Sequence, residues 1–286
     1  MYKIAINCGF TCPNRDGTVG EGGCIFCSGY GSGDFTEDSS ISVTEQIERG
    51  KLKVSGKMPK SADAGTVNDN GQGKYIAYFQ SFTNTYAPVE KLRHLYMEAI
   101  NHKDVVAISI ATRPDCLPEE VLCLLSEINK IKPVWVELGL QTIHEDTARY
   151  IRRGYELGIY DEAVKKLRER KLEVITHVIL GLPGETKEDM LETVSYVGAG
   201  DVQGIKLQLL HVIRGTDLAK DYEHGLFKCM TMDEYTDLIR DCIAVLPEDI
   251  VIHRMTGDGA KKTLIAPLWS ADKKRVLNEL NKKLSQ

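Results

Sequence analysis

No apolar run of membrane-spanning length interrupts the 286 residues, so no transmembrane helix is expected. The start, MYKIAINCGF, has no basic segment leading into a long apolar one and does not read as a secretory signal. Positive charge is not in excess either. A formal net charge of −5 excludes a globally basic nucleic-acid coat, though not a local basic face. No internal repeat is visible. In a chain without an export signal, eight cysteines do not read as a disulfide framework. A reducing cytoplasm, the expected compartment, favours thiols that bind metal or simply pack. The 42% hydrophobic content suffices for one large core or two modest ones.

What is present alternates between strand and helix patterns. YKIAIN (2–7), KYIAYFQ (74–80), VVAISIA (105–111), VWVELGL (134–140), LEVITHVIL (172–180) and GIKLQLL (204–210) read as strands. Helical patterns cover 44–56, 88–102, 118–131, 144–152, 160–170, 187–198, 232–246 and 272–284, with a short apolar piece at 250–252. Residues 59–73, polar and Gly-containing, read as a loop. Strands joined by helices make a parallel sheet, because a parallel crossover needs a connection of that length. Several strands are apolar on both faces, as a sheet covered by helices requires. The fold class is therefore α/β, either an open partial (β/α)6 barrel or a doubly wound sheet. Both carry function on loops at the C-terminal ends of the strands.

The loop after the first strand, from Cys8 to about Phe35, holds Cys12-x11-Cys24-x2-Cys27 among many glycines. Thiolates two residues apart can ligate one centre, and glycine lets backbone wrap closely around it. Two chemistries fit. With Cys8, four thiols would close around a structural zinc. Cys12, Cys24 and Cys27 alone would hold a [4Fe–4S] cluster with one iron open, where S-adenosylmethionine (SAM) can bind and be cleaved to a 5′-deoxyadenosyl radical.

The segments FTCPNRDGTVGEGGCIFC (10–27), YFQSFTNTYAP (78–88), ATRPD (111–115), VELGLQT (136–142), ILGLPGET (179–186) and HRMTGDGAKKTLIAPLW (253–269) together resemble the YhcC/YtqA-type radical SAM family, a relative of the catalytic subunit of Elongator. The resemblance runs along nearly the whole chain in order. It implies a partial (β/α)6 barrel with the cluster loop 8–35 inside residues 1–246, and a C-terminal extension, 247–286, packed on it. It also implies SAM, a [4Fe–4S] cluster on Cys12, Cys24 and Cys27 with Cys8 as an extra thiol, and an electron donor such as flavodoxin or ferredoxin.

The same resemblance assigns Gln141 to the SAM ribose and Arg153 to the SAM carboxylate, with Arg152 as its competitor. Gln80 and Ser81 end the second strand, where relatives present groups to the amino end of SAM. Many relatives carry a Glu one residue before TRPD; here Ala111 stands there, which puts a ribose contact from that strand in doubt. GLPGE (181–185) ends the fifth strand, where its glycines would let backbone approach the adenine and Glu185 would cap the next helix. Glu137, His177, Lys206 and Gln208 are polar groups inside apolar strands. A buried ionisable group must be paired or functional, and Glu137 is expected to face the SAM or substrate space as a catalytic group. Cys116, Cys123, Cys229 and Cys242 have no paired spacing and read as packing or surface thiols.

The YtqA-type members resemble MnmL enzymes. That implies a tRNA substrate, with 5-carboxymethylaminomethyl-(2-thio)uridine at the wobble position converted to the 5-aminomethyl form. The basic residues of 152–171 and of 261–275 are expected to border the barrel mouth and meet the phosphates. Other expectations remain open: a radical SAM enzyme on another RNA or small molecule, and a non-enzymatic four-Cys zinc protein that binds RNA or a partner.

Overall fold

The computed structural model describes residues 1–31, 33, 36–55, 74–257, 259 and 261–285; the loop expected at 59–73 and the end of the cluster loop at Phe35 lie outside them. Strands β1 (Tyr2–Ile6), β2 (Tyr75–Phe79), β3 (Val105–Thr112), β4 (Val134–Gln141), β5 (Glu173–Leu180) and β6 (Gly204–Leu209) occupy the six expected places. They alternate with α1 (Val43–Ser55), α2 (Val89–Asn101), α3 (Glu119–Asn129), α4 (Glu145–Tyr150), α5 (Leu157–Glu169) and α6 (Lys187–Ala199). After β6 come β7 (Val212–Ile213), α7 (Asp217–Glu223), α8 (Met232–Val245), β8 (Val251–Arg254), β9 (Leu264–Ala266) and α9 (Lys273–Leu284).

The main sheet runs β1-β2-β3-β4-β5-β6-β8, every neighbouring pair parallel. A doubly wound sheet reverses its strand order at a switch point. This order never reverses, so the sheet curls as a partial barrel, as expected. It has one strand more than expected: the apolar piece at 250–252 is β8, paired with β6 through Gly204↔Val251. Residues past 247 thus supply the sheet's last strand, the strand β9 that pairs with β7, and α9 against α8.

Side chains alternate across each strand, and that period divides the barrel chemically. Ile6, Phe79, Ile110, Val136, Leu138, Val174 and Leu207 face out into the main core with Leu92 and Tyr96 of α2, Leu122 of α3 and Leu167 of α5. The opposite face carries Lys3, Tyr78, Glu137, Gln141, His177 and Lys206 and lines a central cavity. Helix starts are fixed by side chains: Thr186 with Asp189, and Thr231 with Glu234, form reciprocal capping boxes on α6 and α8.

A second apolar cluster holds the cysteine loop. Ile25 packs with Ile151, Ile179, Val212 and Leu218. Its backbone N–H donates to the Ile151 carbonyl (3.1 Å), and its carbonyl accepts from Leu218 N–H (2.9 Å). The short pieces α7 and β7, absent from the sequence reading, are what this loop rests on. No helix among the described residues is long and apolar enough to cross a membrane.

Candidate active site

Cys12, Cys24 and Cys27 reach the wall of a cavity of about 1860 Å³ that fills the barrel mouth. Cys27 N–H closes a turn onto the Cys24 carbonyl at 3.0 Å. Asn14 Nδ2 donates to Cys24 Sγ (3.5 Å) and to the Arg152 carbonyl (2.6 Å), tying this thiol to the segment that follows α4. Gly23 is required as glycine: its φ is +83°, and a Cβ there would stand 2.9 Å from Arg15 Nε. Arg15 in turn donates to the carbonyls of Cys27 (2.9 Å) and Ser28 (2.7 Å).

Cys8 takes no part in this wall. It is buried in the main core, and burial pushes its thiol up to about 12, Glu98 acting in the same direction and Lys91 against it. The three remaining thiols suit a cluster better than a single ion. Zinc–sulfur bonds of about 2.3 Å in a tetrahedron draw ligand sulfurs to within roughly 4 Å of one another. Among the described residues, the groups of three ligand atoms within 4.8 Å are Glu48, His102, Asp104 and His144, Asp189, Glu192, neither of which includes a cysteine. A cubane instead takes each thiolate on a different iron and holds them farther apart.

Gln141 ends β4 with φ +71°, left-handed for a residue that is not glycine. Its Oε1 is buried without a partner. Gly139 leaves it room: a Cβ there would lie 2.7 Å from Gln141 Nε2. This orphaned acceptor on the cavity wall is a donor-seeking group of the kind a ribose hydroxyl satisfies.

Arg153 is buried at the same wall. Its Nε donates to the Tyr155 carbonyl (2.9 Å), Nη1 to the carbonyls of Thr142 (2.6 Å) and Leu140 (3.3 Å), and Nη2 to Glu145 Oε1 (3.1 Å). It stacks on the Tyr155 ring at 4.6 Å. One of its five N–H groups is left. Arg152, its competitor, is half exposed and pairs with Asp217.

Gln80 lines the cavity, while Ser81 is fully buried, its Oγ without a partner and 2.4 Å from where a Cβ of Gly33 would stand. Of the two residues expected at the amino end of SAM, the cavity therefore reaches Gln80. Ala111 also lines it. Glu185 does not cap α6, which Thr186 caps; its Oε1 accepts from Thr142 Oγ1 (2.5 Å), joining the ends of β4 and β5.

Glu137 is wholly buried on the inner face of β4. Oε1 accepts from Lys3 Nζ (2.5 Å) and Ser109 Oγ, and Oε2 from His177 Nε2 (2.7 Å) and Lys206 Nζ. Burial alone would raise its pKa; Lys206, His177 and Lys3 outweigh that and hold the carboxyl well below its usual range. Burial lowers His177 to about 4, with Lys206 acting the same way and Glu137 opposing. The sequence marked Glu137, His177 and Lys206. Lys3, at the very start of an alternating strand, carried no signal of its own.

The profile of the Radical SAM superfamily matches residues 6–197, and that of the Radical SAM C-terminal domain matches 202–286. The chain belongs to the radical SAM superfamily. It is a radical SAM enzyme, and the family's [4Fe–4S] cluster and SAM are its cofactors. Protein YtqA of Bacillus subtilis is 45% identical over 284 residues, 99% of this chain and 84% of YtqA. The expected kinship with the YhcC/YtqA type holds. Elongator complex protein 3 of Schizosaccharomyces pombe is 32% identical over 157 residues, 54% of this chain and 28% of that protein. The solved structure of the archaeal Methanocaldococcus infernus Elp3 with an N-terminal deletion superposes with a TM-score of 0.69 at 17% identity. That alignment covers 99% of this chain, which spans 63% of the archaeal one.

One expectation about the mouth is corrected. Of the seven basic residues in the stretch 152–171, only Arg153 reaches the cavity. Arg168 pairs with Asp201, Arg170 with Glu119 and Lys166 with Glu162 on the outer surface, because α5 turns that face away from the barrel. Lys261, Lys262, Lys273 and Lys274 of the other stretch do line it, all exposed.

Proposed function

We propose that this is a cytoplasmic radical SAM enzyme of tRNA, acting on 5-carboxymethylaminomethyl-(2-thio)uridine at the wobble position to leave the 5-aminomethyl form. The observation that carries the reading is electrostatic. Among the described residues, eleven lysines and arginines line the cavity against three carboxylates, Glu37, Glu137 and Asp272, in a chain whose net charge is −5. A chain negative overall that concentrates cations around one opening favours a polyanion there, since phosphate contacts supply most non-specific nucleic-acid affinity. The wobble base, unpaired in its loop, would turn out of the stack to reach the interior.

In this reading Cys12, Cys24 and Cys27 ligate the cluster. Gln141 takes the SAM ribose, Gln80 faces its amino end, and Arg153 serves SAM through its remaining N–H and by holding Gln141. Bound there, cluster and SAM supply a 5′-deoxyadenosyl radical that abstracts hydrogen. The substrate would lose two electrons from the methylene between nitrogen and carboxylate, and water would then hydrolyse the resulting C=N bond to release the amine and glyoxylate. Reductive cleavage of one SAM to methionine and 5′-deoxyadenosine would take up both substrate electrons, one carried by the abstracted hydrogen and one returned through the cluster, so a donor such as flavodoxin or ferredoxin would supply only the priming electron. Glu137, saturated by four donors and held ionised, contributes by fixing charges in the substrate space rather than by moving a proton.

The test is anaerobic incubation of cluster-loaded protein, SAM and reductant with tRNA carrying the carboxymethylaminomethyl group, followed by nucleoside mass spectrometry. Appearance of 5-aminomethyluridine supports the assignment. Unchanged tRNA from a protein that processes another substrate refutes it.

A further inference from the structure

Below Gln141 on the same inner face of β4, past the side-chain-free Gly139, lies Glu137 with its four donors. An ionised carboxylate only accepts, so His177 Nε2 carries the hydrogen in that contact. Lys206 Nζ also donates to the Tyr78 hydroxyl at 3.1 Å and sits 4.4 Å from that ring. The charges do not balance. Two ammonium groups meet one carboxylate. The other carboxylates lining the cavity among the described residues are engaged elsewhere: Glu37 pairs with Lys53 and Arg49, and Asp272 accepts from Arg275 N–H at the start of α9. Excess buried positive charge is costly, and an anion entering from the cavity relieves that cost.

We propose that Lys206 and Lys3 form a seat for a carboxylate of the substrate, with Glu137 holding the two ammonium groups apart and aimed into the cavity. This rests on the tRNA reading in one respect: the carboxylate is then that of the carboxymethylaminomethyl group, anchored next to the methylene that is oxidised. The seat gives a reason why the enzyme would act on that side chain and then release a product that has lost its anion.

The experiment uses cluster-loaded protein with SAM and two anticodon stem-loops, identical except that one carries carboxymethylaminomethyl-uridine and the other aminomethyl-uridine. Their phosphates are the same, so the backbone contribution cancels. The wild type should prefer the first by about tenfold or more, the effect of a charge-assisted contact. Lys206→Met should reduce the preference to within about twofold, and Lys206→Arg should keep most of it. Lys3→Met, on a side chain 25% exposed, should lower the preference as well and serves if Lys206→Met does not fold. Sarcosine, which carries the carboxymethylamino group alone, is the free probe, with dimethylamine and inorganic phosphate as controls in saturation-transfer NMR. Stem-loop turnover with a preference indifferent to Lys206 and Lys3, or phosphate displacing sarcosine and binding better, overturns the seat alone. Lys206-dependent sarcosine binding in a protein that leaves the stem-loop unchanged supports the seat and overturns the tRNA reading.

Discussion

Arg153 grips Gln141 from both sides. Its Nη1 donates to the carbonyls of Leu140 and Thr142, the residues flanking Gln141, while Tyr155, on which Arg153 stacks, donates its hydroxyl to the Gly139 carbonyl. A left-handed non-glycine residue costs about 1–3 kcal/mol and persists only where its surroundings over-determine it. Here the surroundings are this clamp, and the result is an amide oxygen buried without a partner on the cavity wall.

The two residues should therefore separate in mutants. Gln141→Ala should weaken SAM binding about tenfold, the loss of one or two hydrogen bonds, and leave cluster content and thermal stability near wild type. Arg153→Ala should weaken SAM binding and also destabilise the fold by about 3–5 kcal/mol, because Glu145 and three carbonyls lose a buried charged partner. Calorimetric SAM titration and thermal denaturation read the two effects. Equal stability of both variants would mean that the clamp does not hold the strand end.

Anaerobically reconstituted protein should carry about four iron and four sulfide per chain. Cys12→Ala, Cys24→Ala and Cys27→Ala should each lose the broad visible absorption, whereas Cys8→Ala should keep it and lose only packing, since its side chain lies in the helix-facing core. A Cys8 requirement as strict as that of the other three would restore the four-thiol alternative.

The barrel was legible because its strands obey one rule. Apolar residues recur on the outer face at every second position, and polar exceptions such as Glu137 and His177 fall on the other. What could not be read was who meets whom. Lys3 and Glu137 are 134 residues apart, Lys206 and Glu137 are 69 apart, and only the curl of the sheet brings them together. The supports of the cysteine loop escaped for a different reason. β7 has two residues and α7 seven, too short for periodicity to show; they form because Ile25 and Ile151 offer an apolar face. The basic stretch at 152–171 misled because charge density alone does not say which way a helix face turns.

That distinction gives a test for tRNA binding. Lys261→Glu with Lys262→Glu should weaken binding and flatten the slope of log affinity against log salt by about 1.4–1.8, two phosphate contacts at roughly 0.7–0.9 each. Reversal of Lys165 and Lys171, which do not line the cavity, should change the slope by well under half as much. Filter binding across a salt series measures both, and SAM cleavage by the reduced protein should be unaffected in either variant. Equal losses from the two pairs would relocate the tRNA to the outer face of α5.

Lys206 supplies a pH signature for the interior. Burial lowers it to about 8 from an ordinary 10.5; Lys3 and Arg254 act in the same direction, and Glu137 opposes them. Of the other groups facing it, His177 lies at about 4, Tyr78 is pushed well above its usual value by burial and Glu137, and Glu137 stays ionised. Between about 8 and 10.5 the unfolded chain binds the extra proton, so Lys206's unfavourable contribution to stability is fully present below 8 and fades as pH rises through this window. Carboxylate binding has the opposite sign, because it needs the ammonium. Preference for the carboxymethylaminomethyl stem-loop should be flat from pH 6.5 to 7.5 and decline above about 8, by up to tenfold per pH unit, while Lys206's own contribution to stability, read as the difference between wild type and Lys206→Met, becomes less unfavourable over the same interval. In Lys206→Arg, whose guanidinium stays protonated, the decline should vanish. A decline that survives in Lys206→Arg would place the titrating group elsewhere.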